Sequence, residues 1–160
     1  MVDKSILRTI IDNWYNRSKD EKIDEFDRFI SLWISFNAWG YHEIETDKDR
    51  QMIDDLKKNQ KMLESYDKAK LDKQFMKKLH DISNDKIKTY KPKPEYVWLD
   101  NDKSLNTLLE MIYKIRCNLF HGRKDRNTER DKNLVKWARI VLTCIFDHLK
   151  DRDDFLANST

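Results

Sequence analysis

The stretch Ser104–Phe120, SLNTLLEMIYKIRCNLF, decides how this chain folds. Ser104 is a natural helix cap, because its hydroxyl can accept from a first-turn amide, and Gly122, just past Phe120, is a natural stop. At about 100° per residue, Leu108, Ile112, Ile115 and Leu119 fall within about 60° of one another and form a stripe that packs into a core. Leu109, Tyr113, Cys117 and Phe120 form a second apolar stripe, roughly 100–180° further round. A helix apolar over so much of its circumference needs a second cover. Either another helix of the chain wraps it, or a second protomer docks on it through a twofold axis that sets the helix beside its own mate.

The rest of the chain agrees with a helical reading. Only 2 Gly and 2 Pro occur in 160 residues, against ordinary usage of roughly 7% and 5%. Hairpins, Gly-rich phosphate loops and tightly turned sandwiches are therefore starved of turn residues. Hydrophobic residues make up 39%, including 5 Trp, 7 Phe and 6 Tyr, which is enough to fill a core and excludes disorder of the whole chain. No apolar run approaches the roughly 20 residues of a membrane helix, and MVDKSILRTI carries no secretory stretch, so a soluble, cytoplasmic protein with no membrane partner is expected. Cys117 and Cys144 lie in apolar helical patterns without CxxC spacing, which argues against a disulfide framework or a zinc site; no metal or other cofactor is expected.

Caps and periodicity place the other helices. Asp3 caps a first helix to about Arg17, with Ile6, Ile10 and Trp14 as its core face. Asp24 caps a second to about Trp39, ended by Gly40, with Phe26, Phe29, Ile30, Trp33 and Phe36 along one stripe. Charged helices follow over about 48–66 and 69–80. Residues 83–99, with both prolines two positions apart, cannot be helical across Lys91–Pro94 and read as an extended surface loop. A last helix runs from about Asp131 to Leu149. The expected fold is all-α, one domain over residues 1–160, a bundle of about six helices with a Pro-containing surface loop.

Charge is distributed unevenly. Residues 1–56 carry 8 basic and 13 acidic groups, a net of −5, whereas residues 57–93 carry 12 and 5, a net of +7. A second basic window, 113–136, has 8 basic and 3 acidic groups, a net of +5. Phosphate is the partner such windows fit, and a solvated lysine face is the plainer reading of 57–93 taken alone. Arg116 lies between the two apolar stripes of its helix, and His121 follows five residues later, about 140° further round, beside Gly122. The two diverge within one ideal helix, so the pair is brought together either by the frayed end or by a crossing mate. Asn118, one turn before His121, has an amide able to orient an imidazole or bind a phosphate oxygen. An imidazole titrates near neutrality and a guanidinium is a fixed planar cation. Together they suit cleavage of an RNA backbone, with the 2′-OH attacking the adjacent phosphate, His moving protons and Arg stabilising charge on the phosphoryl oxygens. A salt bridge and a contact with the helix C-terminal dipole are the structural alternative.

IRCNLFHGRK resembles the signature of the HEPN superfamily (higher eukaryotes and prokaryotes nucleotide-binding domain), Arg, four to six residues, then His at a helix end; Arg116 and His121 match it with four between. FDRFISLWISFNAWG, near residues 26–40, is similar to the early helix of bacterial stand-alone members. The resemblance implies an antiparallel helical bundle, commonly dimeric, with Arg and His of both protomers lining a cleft. It also implies a metal-independent endoribonuclease acting as a toxin beside an antitoxin protein, in phage defence or in RNA processing. Arg116, His121 and, less directly, Asn118 would be catalytic. Arg123, Lys124, Arg126 and Arg130 would hold flanking RNA backbone. Dimerisation would run through the helix carrying Tyr113, Cys117 and Phe120. The family often has a polar residue directly after the Arg, where this chain has Cys117. Some members lack the activity and bind nucleotides or proteins, so a non-catalytic helical module is the alternative.

Asn37 falls on the stripe of Phe26, Ile30 and Trp33, and an amide among apolar neighbours needs a hydrogen-bond partner. That partner is either backbone or a polar group beside the Arg116 motif. His42, His80 and His148 lack partners at ligand spacing and read as surface or helix-end residues, and Cys117 reads as a packed thiol.

Overall fold

The computed structural model describes residues 3–83, 86–89, 95–122 and 128–157, with 86–89 and 95–96 described by backbone alone. Among them are seven helices: α1 (Lys4–Ser18), α2 (Glu25–Ile44), α3 (Asp49–Leu56), α4 (Gln60–Ala69), α5 (Lys73–Ile82), α6 (Leu105–Phe120) and α7 (Glu129–Lys150). The fold is an all-α bundle. Short strands β1 (Lys86–Thr89) and β2 (Glu95–Trp98) pair antiparallel, Lys86 opposite Trp98 and Thr89 opposite Glu95. The proline-containing segment was expected to be a loop. Its flanks, 86–89 and 95–98, are extended and pair into a ribbon; Pro92 and Pro94 lie outside the described residues. No helix among the described residues is long and apolar enough to cross a membrane.

Side-chain caps start the helices where the sequence places them. The Asp3 carboxylate accepts from the Ser5 amide at 2.7 Å, Asp24 from Asp27 at 2.9 Å, and Ser104 from Thr107 at 3.2 Å, each satisfying an amide that the helix leaves open. The expected helix over 48–66 is two helices. Its break at Lys57–Asn59 is stabilised by Asn59, whose side chain caps α4 by accepting from the Met62 amide at 3.0 Å.

α1 turns a different face inward from the one expected. Leu7, Ile11, Tyr15 and Ser18 are buried, while Ile6, Ile10 and Trp14 are 56%, 40% and 36% exposed. The two faces carry equivalent apolar spacing one residue apart, so hydrophobicity alone does not choose between them. Polar partners do. Ser35 Oγ donates to the Ile11 carbonyl at 2.7 Å, the Tyr15 hydroxyl donates to Asp147, and the Lys150 ammonium lies 3.7 Å from the centre of the Tyr15 ring. All three hold the Leu7 face against α2 and α7.

An aromatic cluster runs through the core. Phe36 meets Phe146 edge-on at 5.8 Å, and Trp39 stacks on Phe155 at 6.0 Å with only 6° between the rings. α2 does not stop at Gly40 but runs on to Ile44 and ends at Glu45, whose φ of 58° is left-handed. Gly40 is inside the helix because α3 crosses close to it: a Cβ there would lie 2.4 Å from Met52 Sδ, and Met52 is fully buried. Gly40→Val is expected to lower stability by about 1–3 kcal/mol through overpacking, read as a fall in urea midpoint at unchanged slope; an equal or higher midpoint would show that α3 does not pack there.

Candidate functional site

α6 carries the Arg116 and His121 motif, and its ends are fixed. At its start Asp100 accepts from the Ser104 amide (2.7 Å), the Ser104 hydroxyl (2.9 Å) and the Thr107 hydroxyl (2.9 Å). At its end His121 is the C-cap residue, its amide donating to the Cys117 carbonyl at 3.0 Å, and Gly122 takes φ 68°, a left-handed value that a side chain would strain. Of the second apolar stripe, Leu109 (1% exposed) and Tyr113 (9%) are covered by the chain itself, whereas Phe120 is 46% exposed. Tyr113 is stacked on Trp33 of α2, the ring centres 6.2 Å apart.

Arg116 is held by a carboxylate and two rings. Its Nη2 lies 2.7 Å from Oδ2 of Asp49, the first residue of α3. The other carboxylate oxygen of Asp49 accepts from Asn37 Nδ2 at 2.9 Å and from the Tyr41 hydroxyl at 2.6 Å. Asn37 and Tyr41 are one turn apart on α2, so three elements converge on one carboxylate. Burial and the bond to Asp49 hold the Tyr41 phenol above its ordinary value, with the Asn37 amide and the Arg116 charge pulling the other way. The Arg116 guanidinium also lies between two rings, 4.5 Å from the centre of Phe120 and 5.7 Å from that of Trp33. Beyond Trp33 comes Tyr113, and over Tyr113 lies the Arg50 guanidinium at 4.8 Å. Phe120, Arg116, Trp33, Tyr113 and Arg50 thus form one run of rings and cations across α6, α2 and α3, with Trp33 and Tyr113 stacked between the two guanidinium groups. Glu110 closes the far end, bonded to Arg50 at 2.7 and 2.9 Å and to Lys57 at 2.7 Å. Burial opposes its charge, but those bonds outweigh it and hold the carboxyl down at about 2.

The other residues are spread around this centre. His121 is exposed, and its ring bonds no described residue; Arg116 bonds Asp49 and not His121. Asn118, expected to orient the imidazole or bind a phosphate oxygen, is 6% exposed on the side of α6 turned from Arg116. Asn37 takes the role of a support to Arg116, reaching it through Asp49. Arg123, Lys124 and Arg126 lie outside the described residues, and Arg130, on the first turn of α7, is exposed. Cys117 is half-buried. Two donors in this centre, Arg116 Nε and Trp33 Nε1, are buried without a hydrogen-bond partner among the described residues. Among the described residues no group of three or more His, Cys, Asp and Glu is placed to hold a metal ion.

Sequence reasoning missed Asp49, Tyr41 and the aromatic sandwich. Asp49 is 67 residues from Arg116 in sequence, and the only signal is the i, i+4 polar pair Asn37 and Tyr41 on an otherwise apolar helix. Asp49→Asn keeps the shape and removes the charge, so the Tyr41 phenol is expected to titrate at lower pH than in the wild type, followed by carbon-13 NMR of labelled tyrosine. The move is downward because a phenolate no longer forms beside a carboxylate; by linkage, the raised phenol of the wild type adds stability that is complete below its unfolded value and is lost as pH rises through the folded one. An unmoved Tyr41 titration would mean that it does not bond Asp49. No protein-family model, curated protein or solved structure matches the chain.

Proposed function

We propose that this chain is a HEPN-like, metal-independent endoribonuclease acting through Arg116 and His121. One observation carries the reading: a guanidinium fixed by Asp49 and two aromatic faces stands five residues before an exposed imidazole at the end of the same helix. A fixed cation is what a phosphoryl oxygen requires, because its orientation is set before the reaction. An imidazole with no partner among the described residues is open to take or give a proton.

In the proposed reaction the 2′-oxygen attacks phosphorus and the bond to the 5′-oxygen breaks, leaving a 2′,3′-cyclic phosphate and a 5′-hydroxyl. One imidazole takes the 2′-OH proton and a protonated imidazole gives one to the leaving oxygen. Arg116, with one edge on Asp49, offers its remaining Nη hydrogens to the phosphoryl oxygens. Since Arg116 and His121 point apart on one helix, the site is completed by a twofold mate whose α6 docks on the exposed Phe120 face. The reading extends to a toxin or phage-defence role in the cytoplasm, with an antitoxin protein as partner.

The test is end-labelled total RNA incubated in EDTA with the wild type and with His121→Ala. Histidine-dependent fragments ending in 2′,3′-cyclic phosphate are expected; intact RNA in both samples would remove the reading. The Arg116–Asp49 pair itself favours a second reading, a non-catalytic module in which the ion pair only ties α6 to α3. Binding of RNA or a protein without cleavage would establish that instead.

A further inference from the structure

The two basic windows, 57–93 and 113–136, are far apart in sequence and meet in space where α5 packs on the N-terminal half of α7. Between these helices lies a cleft of about 430 Å³. Its rim carries Lys78 from α5 and Arg130, Asn133 and Lys136 from α7, against the single carboxylate of Asp81. Its floor is apolar, with Ile82 and Leu134 both buried. Neither the Lys78 nor the Lys136 ammonium pairs with a carboxylate among the described residues, although the neighbouring surface is laced with ion pairs such as Lys132–Glu129. Two cations lining one cleft with an apolar floor, and unpaired among the described residues, suit a ligand with an anionic edge and an apolar body.

The geometry points to this cleft as a second RNA subsite, Lys78 and Lys136 holding phosphates of the strand beyond the one at Arg116. The inference rests on the ribonuclease reading for its choice of RNA over another polyanion. His121 and Gly122 end α6, and the seven-residue step from Gly122 to Glu129 spans at most about 25 Å, so the cleft lies within reach of a short strand passing His121. Arg130, at the head of α7, stands between the two places in sequence. Phosphate contacts of this kind position a strand without reading its bases, so the subsite selects for length of single strand and not for sequence.

The experiment uses His121→Ala protein, to keep the strand whole, and a fluorescent single-stranded RNA of about a dozen nucleotides in EDTA. Adding Lys78→Glu and Lys136→Glu is expected to weaken binding roughly tenfold or more at low salt. The slope of log affinity against log salt should shrink by about 1.4, two single-strand phosphate contacts at ~0.7 each. Lys4→Glu with Lys58→Glu makes the same change in net charge away from the cleft and is expected to change affinity less than about twofold. Equal losses from both pairs, or none from either, overturn the subsite. An acidic peptide that binds through Lys78 and Lys136 when RNA does not overturns it in favour of a protein groove. Wild-type cleavage is scored separately: lysine-dependent binding with no cleavage leaves the subsite standing and removes the enzyme, whereas cleavage with lysine-independent binding does the reverse.

Discussion

Replacing His121 by alanine is expected to slow EDTA-resistant RNA cleavage by about 10²–10⁴-fold, the range that a positioned acid–base group contributes. Arg116→Ala is expected to cost about 10²–10³-fold, as loss of one group stabilising a developing oxyanion does. The double variant should be little worse than the poorer single one, because groups acting on one transition state are not additive. The two differ in their effect on the fold. His121 is exposed and bonds no described residue, so His121→Ala should melt with the wild type. Arg116→Ala leaves the half-buried Asp49 carboxylate without its cation and should also lower the melting temperature, since an unpaired charge is left behind. Arg116→Lys separates the roles: it keeps the charge beside Asp49 but loses the planar fork, and should recover stability without recovering rate. Full cleavage in the Arg116→Ala, His121→Ala protein would end the proposal.

Phe155→Ala is expected to destabilise the fold by about 3–5 kcal/mol, as truncation of a buried aromatic does. Phe155 is 1% exposed and sits in a slot between helices. Trp39 lies parallel to it at 6.0 Å, Phe146 meets it at 5.9 Å, and the Arg8 guanidinium is 5.3 Å from its ring centre. Its backbone is fastened as well. The Trp39 indole donates to the Phe155 carbonyl at 2.9 Å and a His42 ring nitrogen lies 2.9 Å from the Leu156 carbonyl. Lys61 donates to the Ala157 carbonyl and lies 2.7 Å from Glu43, a carboxylate with no exposed side-chain surface. Equilibrium urea unfolding measures the loss, and a change below about 1 kcal/mol would show that residues 151–157 do not close the core. Phe155→Leu, which refills most of the slot, should cost clearly less.

The fold was legible wherever a local rule was sufficient. Asp3, Asp24 and Ser104 each begin a helix because capping depends only on the next three residues, and scarcity of glycine and proline set the class. Rules that depend on a distant partner were not legible. The choice between Ile6/Ile10/Trp14 and Leu7/Ile11/Tyr15 on α1 turns on Ser35, Asp147 and Lys150. Gly40 reads as a stop by local rules and is there to let Met52 approach. At the site, the residues of the motif could be named, and Asn37 could be singled out as an amide in need of a partner. The partner, Asp49, could not, because nothing local links the start of α3 to residue 116.

Residues 151–157 also set a clock. Trp39 and the Phe155 carbonyl it bonds are 116 positions apart, so on a ribosome adding about 5–20 residues per second the aromatic slot on α2 stands open for roughly 6–23 s. Every helix has been synthesised before the segment that seals their shared core emerges. During that interval the nascent chain presents Trp39 and Phe36 of α2 to whatever binds apolar surface, and a chaperone or a cognate protein bound early would meet a different surface from the one the finished molecule shows.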